Sequence, residues 1–405
     1  MFQELKSKAK IVLILVILTI LVGGGVLLYL FMTNQEKQVS SEQITSVQTK
    51  EERSSLSVGQ QGSWVLLDHT KEITFDDYFD AALFIDMQHN GFYWLLGRGG
   101  GEIQAHLYEY SSEKGFTNLS PKIQNLDAVW HIAWNGNHWL LGNANYLFTE
   151  YQLVKFDGAN FIDLTEEWRK TKTSCPNTMD NIIALDSSFL ILSTGPDFCY
   201  AIFDGDKFKD ISEMFPLYSS GSLKGKRLSY PIGKCNQELC YLAREEPSDH
   251  ILEFNFKENT TRQVLLSNLF DSTLESGLVD VDWNGEEWLF QLVSLGEGDP
   301  PETRIFVYNP TSKISREVYK QPFSTLQIIG WDSSIGRWVA SESFCQNRES
   351  SSGECELAIL HFDGQELTRL PVNIPKIAGP PTVAVSAGSY LISTREHLYE
   401  IRYVQ

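Results

Sequence analysis

Apolar and polar positions follow three regimes along this chain. Residues 11–32, IVLILVILTILVGGGVLLYLFM, are a charge-free run of 22 residues. At ~1.5 Å per helical residue that is ~33 Å, enough to cross the hydrocarbon core of a bilayer. Residues 33–60 have no apolar period and are dominated by Gln, Ser, Glu and Lys, the pattern of a solvated linker. From residue 61 onward short alternating segments take over, and alternation with a period of two predicts β-strands with one face buried.

Those segments repeat. FIDMQHNGFYWLLG (84–97), HIAWNGNHWLLG (131–142) and VDVDWNGEEWLFQL (279–292) each read as a strand, an Asn-Gly turn and a second strand opening near Trp. Asn-Gly supplies the positive φ that a tight hairpin needs. IIGWDSSIGRWVAS (328–341) has a longer turn, and IIALDSSFLILS (182–193), YPIGKCNQELCYLA (230–243) and VAVSAGSYLIST (383–394) carry Phe or Tyr in place of Trp. The aromatic marker falls at Trp94, Trp139, Phe189, Tyr241, Trp288, Trp338 and Tyr390, six steps of about 49 residues. A third strand follows each hairpin (AHLYEYS, QLVKFDG, YAIFDG, HILEFN, RIFVYN, AILHFDG, HLYEIR), and most units add a fourth, such as FTNLS, FIDLT and FKDIS. Seven units of four antiparallel strands predict an all-β, seven-bladed β-propeller. The last unit lacks its fourth strand, so a segment before the first unit is expected to close the ring. EITFDD (72–77) is the expected closing strand, which leaves either WVLLD (64–68) or HLYEIR (397–402) surplus. The repeat aromatics are expected between blades, as core.

The domain organisation follows: 1–10 a cytoplasmic tail, 11–32 a transmembrane signal anchor, 33–60 a polar linker, and 61–405 an extracytoplasmic propeller. A cleaved signal peptide would have a shorter apolar core and a small-x-small site, and Met32-Thr33-Asn34-Gln35 offers none. Lys6, Lys8 and Lys10 precede the span, so the positive-inside rule keeps the N-terminus in the cytoplasm.

Composition sharpens the functional reading. The net charge is −19, and residues 1–60 contribute +1, which leaves −20 on the folded part. Such a surface repels phosphate backbones, so nucleic acid is not an expected partner. All six cysteines, Cys175, Cys199, Cys235, Cys240, Cys345 and Cys355, lie in the outer domain. An even count in an exported chain predicts disulfides, with Cys235–Cys240 and Cys345–Cys355 bracketing short polar connections and Cys175–Cys199 remaining.

Candidate chemistry is sparse. There is no G-x-S-x-G, no H-E-x-x-H and no clustered C-x-x-C, and no cofactor is indicated. GRGGGE (97–102) lacks the Lys-Ser/Thr of a phosphate loop. Acidic residues gather at Asp76, Asp77 and Asp80, and at Asp280 and Asp282. The latter pair alternates with Val279 and Val281, so both carboxylates share one face; on an innermost strand they are the candidate cation ligands of the central channel. Asn118-Leu119-Ser120 and Asn259-Thr260-Thr261 match glycan acceptor sequons.

The four-strand repeat with its Gly-then-Trp turns resembles β-propeller repeat proteins in the broad sense, over residues 61–405. The Gly-His and Trp-Asp signatures of WD40 repeats, the repeated Gly-Gly doublet of kelch repeats and the S-x-D-x-G-x-x-W box of sialidases are absent, so no family's catalytic residues carry over. The resemblance implies a membrane-anchored binding or scaffolding module for a protein or an envelope polymer. The alternative is a propeller-type hydrolase or lyase acting on surface glycans.

Overall fold

The computed structural model describes residues 63–404, except 74–83, 99–106, 124–127, 145–150, 172–180, 194–198, 218–229, 231, 245–248, 271–275, 295–301, 323–324, 346–353 and 379–380. The apolar run 11–32 and the acidic residues Asp76, Asp77 and Asp80 lie outside the described residues, as does most of GRGGGE. Among the described residues no helix is long and apolar enough to cross a membrane. The chain divides into two units at Gln61/Gly62, and the second is the propeller.

Seven antiparallel sheets form seven blades. Six are built from consecutive strands running from the axis outward; blade 2, for example, is Val129–Trp134, Trp139–Ala144, Tyr151–Phe156 and Phe161–Asp163. Blade 6 adds a short strand, Ile377–Ala378, on the far end of Glu354–Phe362. The seventh blade joins both ends of the chain: Thr382–Ser386, Ser389–Ser393 and Leu398–Val404 come from the C-terminus, and Ser63–Asp68 pairs outside them.

The closing strand is therefore WVLLD rather than the expected EITFDD, whose residues 74–77 lie outside the described residues, and HLYEIR is an ordinary third strand. Thr70–Glu72 is a single 3-10 turn that ends the pairing, after the His69 amide has donated to the Leu398 carbonyl (2.9 Å). Burial explains the choice. Trp64 stacks on Tyr390 (5.0 Å between ring centres) and meets Tyr403 (5.2 Å), so the closing strand carries its own aromatic anchor.

The core is divided rather than single. Seven apolar clusters are each shared by two neighbouring blades, including one of Phe84, Met87, Trp94 and Leu96 from blade 1 with Ala384, Leu391 and Leu398 from blade 7. A four-stranded sheet has two apolar faces and hides both only between neighbours. The expected markers Trp94, Trp139, Phe189, Trp288, Trp338 and Tyr390 are all buried at such interfaces. Blade 4 differs from the expectation. Its register pairs Cys235 with Cys240 where blade 2 pairs Trp134 with Trp139, so Cys240 holds the marker position and Tyr241 faces blade 5 instead. The disulfide Cys235–Cys240 stands where blades 1, 2, 5 and 6 have a pair of aromatic rings. Cys199 and Cys355 are also disulfide-bonded, and the strand register sets Cys355 opposite Cys345.

Candidate functional site

In an antiparallel meander the turns from first to second strand and from third to fourth strand lie at one end of every blade. This turn face is described around the whole ring. Its inner turns are built differently from a two-residue Asn-Gly hairpin. Trp134 faces Trp139 across a four-residue loop, and only the glycine takes positive φ: Gly91 +96°, Gly136 +93°, Gly285 +101°. The asparagine acts through its side chain. The Oδ1 atoms of Asn90, Asn135, Asn236 and Asn284 each accept from the two amides two and three residues on, at 2.7–3.1 Å. In the outer turns the amides of Asn160, Lys207 and Glu366 bond Asp157, Asp204 and Asp363 and hold those carboxyls below the usual range. Rigid, short turns fix what lies between them.

The last residue of each inner strand borders the axis on this face. It is tryptophan in two blades, Trp134 and Trp283, and in blade 6 the tryptophan is the residue before it, Trp331; each is partly exposed and rests on a buried partner, Trp139 (5.0 Å), Trp288 (4.8 Å) and Trp338 (4.9 Å). In blade 1 the same place holds His89, which leans on Trp94 at 5.0 Å. The W-N-G-x-x-W text contained both tryptophans of the first two pairs, and WDSSIGRW (331–338) those of the third. Alternation alone could not say that the second is core and the first is surface. Between blades 3 and 5 a cleft of about 480 Å³ is lined by Asp186, Cys235, Gln237, Glu238 and Trp283. Phe92 stands on the tip of the blade 1 turn, 77 % exposed.

Beside Phe92 a second pocket, about 430 Å³, lies where blades 7 and 1 meet, and it reaches the blade 6 turn at Ser334. Its floor is Glu400, 2 % exposed. That carboxylate accepts from Tyr110 OH (2.6 Å), Ser389 Oγ (2.7 Å), His69 Nε2 (3.0 Å) and Arg402 Nε and Nη2 (2.9 and 2.5 Å). Burial alone would raise its pKa; the hydrogen bonds from His69, Arg402, Tyr110 and Ser389 outweigh burial and bring it down to about 2. His69 donates its other ring nitrogen to Glu72 (2.8 Å), and although burial disfavours its charge, the two carboxylates raise its pKa. The network joins the segment after the closing strand to blades 1 and 7. Nothing in the sequence pointed to it except the polar alternation Glu400-x-Arg402 inside an otherwise apolar strand.

A second buried network closes blades 6 and 7. Asp332, fully buried, accepts from Tyr390 OH (2.6 Å), the Ser334 hydroxyl (2.6 Å) and the Gly388 amide. His361 Nε2 donates to Tyr390 OH (2.9 Å), and burial pushes the His361 pKa down to about 4.

Asp280 and Asp282 do lie on the innermost strand of blade 5, Ser276–Trp283. A bulge at Val279 interrupts the register just before them. Asp282 is 5 % exposed, and its Oδ1 lies 3.4 Å from Lys234 Nζ of blade 4. Burial pushes the Asp280 carboxyl up to about 7, with the neighbouring Asp282 charge adding to the rise. Blade 1 has a counterpart in Asp86, whose Oδ2 accepts from the Ile132 amide of blade 2 at 2.6 Å. Among the described residues no group of three or more His, Cys, Asp or Glu is placed to hold a metal ion. The acceptor asparagines Asn118 and Asn259 of the two sequons are both exposed. The Ser120 hydroxyl of the first sequon accepts from the Leu107 amide (2.8 Å), a bond repeated by Thr165 to Leu153 and Ser212 to Tyr200 in blades 2 and 3.

No family model matches the chain, and no curated protein matches it. Solved structures do. An oligogalacturonate lyase from Vibrio parahaemolyticus is 11 % identical and superposes with a TM-score of 0.50 over 84 % of this chain and 97 % of that one. YCF48 bound to D1 peptide is 11 % identical, with a TM-score of 0.49 over 85 % and 98 %. The Cps50 (Swd1) propeller domain of Myceliophteria thermophila is 10 % identical, with 0.47 over 80 % and 97 %. At these identities the likeness shows the fold, a seven-bladed β-propeller, and nothing about ligands.

Proposed function

We propose that this chain is a membrane-tethered binding module that works outside the cytoplasm and presents its turn face to a protein or an envelope polymer. The observation that carries this reading is the set of part-exposed tryptophans, Trp134, Trp283 and Trp331, at the axial ends of three inner strands. Each is held by a buried indole beneath it and by a turn locked through an asparagine or aspartate side chain. Such rings offer large contact area at low conformational-entropy cost, which is what interface anchors need. The buried acids Glu400 and Asp332 are enclosed in blade-joining bonds, which favours recognition over acid–base chemistry. The run 11–32, with Lys6, Lys8 and Lys10 before it, supports the tether and its direction.

The test uses the full chain in detergent as bait for membrane and envelope extracts, beside the triple variant Trp134→Ala, Trp283→Ala, Trp331→Ala checked for native circular dichroism. The reading expects a partner retained by the parent and lost by the variant. Equal retention by both removes the turn face from the account.

A further inference from the structure

The pocket between blades 7 and 1 has a hydrogen-bonding character that can be worked out atom by atom. Ser389 Oγ donates to Glu400 Oε1 (2.7 Å) and Ser334 Oγ to Asp332 Oδ1 (2.6 Å). Ser386 Oγ lies 2.7 Å from His89 Nδ1. That nitrogen already accepts from the Gly91 amide at 3.0 Å, so it carries no proton, and Ser386 must be the donor. Burial drives the His89 pKa down to about 4, which agrees with a neutral ring whose hydrogen sits on Nε2. Of the five serines that line the pocket, Ser334, Ser386 and Ser389 thus have their protons turned into the fold, and toward a ligand these three can only accept. Donors come from other lining residues: His89, whose proton sits on Nε2, Arg402, whose Nε and Nη2 hold Glu400, and the hydroxyls of Ser111 and Ser112. Aromatic surface comes from Phe92 and Tyr403.

We infer that this pocket takes a neutral saccharide. A ring of hydroxyls offers donors to Ser334, Ser386 and Ser389 and acceptors to Arg402 and His89 at close spacing, while its C–H face lies on an aromatic ring. Charged ligands fit less well. An anion meets Glu400 and Asp332 beneath the floor and a chain of net charge −19; a cation meets Arg402 on the wall. The volume, about 430 Å³, falls in the range of small-molecule sites. This inference rests on the turn face being a binding face and adds the ligand class of one pocket on it.

Saturation-transfer NMR tests it, with the full chain in a detergent that has no sugar headgroup. The probes are the methyl glycosides of glucose, galactose, mannose and N-acetylglucosamine, with galacturonate and glucosamine as charged comparators. At least one neutral glycoside should receive saturation. Its affinity should fall about tenfold in Phe92→Ala, which removes an exposed side chain and leaves the fold intact, and it should also fall in Ser386→Ala. Three outcomes overturn the inference: no neutral glycoside binds, the charged sugars bind better, or Phe92→Ala binds as the parent does. Partner capture by Trp134, Trp283 and Trp331 is read separately, so loss of the saccharide leaves that reading standing, and the reverse.

Discussion

Replacing Glu400 with glutamine tests the buried clasp between the chain ends. The carboxylate is 2 % exposed, and its pKa is brought from 4.5 down to about 2 by bonds from His69, Arg402, Tyr110 and Ser389 that outweigh its burial. A shift of that size corresponds to about 3 kcal/mol of stability. Breaking a buried pair by removing one partner costs a similar amount, roughly 3–5 kcal/mol, because Arg402 and His69 are left without their counter-charge. The pH dependence has a definite sign. A carboxyl whose folded pKa is depressed contributes fully above its unfolded value of about 4.5, and the contribution disappears as pH falls toward 2. His69 works at the other end. Its folded pKa is raised, so its share is present below about 6.5 and fades as pH rises through the folded value. The stability gap between parent and Glu400→Gln should therefore be widest near pH 5–6, about 3 kcal/mol, and should close toward pH 2. Urea unfolding followed by tryptophan fluorescence across pH 2–9 measures it. A gap that stays constant through the acid limb would refute the claim that the ionised carboxylate is what the clasp holds.

Four further outcomes are expected. Cys235→Ala with Cys240→Ala should lower stability by roughly 2 kcal/mol from the short closed loop alone, read as a fall in the urea midpoint smaller than that produced by reductant on the parent, which also opens the disulfides of Cys199 and Cys355. Leu239→Tyr should raise stability by about 1 kcal/mol: Tyr93 OH accepts from Trp139 Nε1 at 3.0 Å, Leu239 occupies the matching place beside Trp288, and Trp288 Nε1 is buried without a partner among the described residues. Gly97→Ala should destabilise by about 1–3 kcal/mol, because its Cβ would lie 2.8 Å from both the carbonyl oxygen and a methyl of Val129, and thermal melts would show it. Asp280→Asn should stabilise the fold at pH 8 and change little at pH 4, since a carboxyl raised to about 7 by burial and by Asp282 weakens the fold as it ionises; equal effects at both pH values would contradict the raised pKa.

Much of this architecture was legible before any coordinates, because a propeller repeats its instructions. The N-G-x-x-W text recurs with alternation on both sides, and all seven expected markers are buried between blades, six of them at the equivalent register position. What failed were choices that alternation leaves degenerate. WVLLD and EITFDD both alternate, and only pairing with Leu398–Val404 and the stack of Trp64 on Tyr390 separates them. In blade 4 an adjacent cysteine and tyrosine both fit the pattern, and the register gives the position to Cys240. The candidate site was less visible for a topological reason. His89, Ser334, Ser386 and Arg402 come from three blades, and no local spacing relates residues brought together by closing a ring. Asp280 and Asp282 were legible as a pair on an inner strand, but their partner Lys234 lies a blade away.

Ring closure is the claim on which the face, the pocket and the clasp all depend, and amide hydrogen exchange of the full chain tests it directly. If Ser63–Asp68 is the outer strand of the seventh blade, its paired amides should exchange in step with those of Leu398–Val404. Glu400→Gln should then speed both together. Free exchange at residues 63–68, beside continued protection of 389–404, would contradict the closed ring.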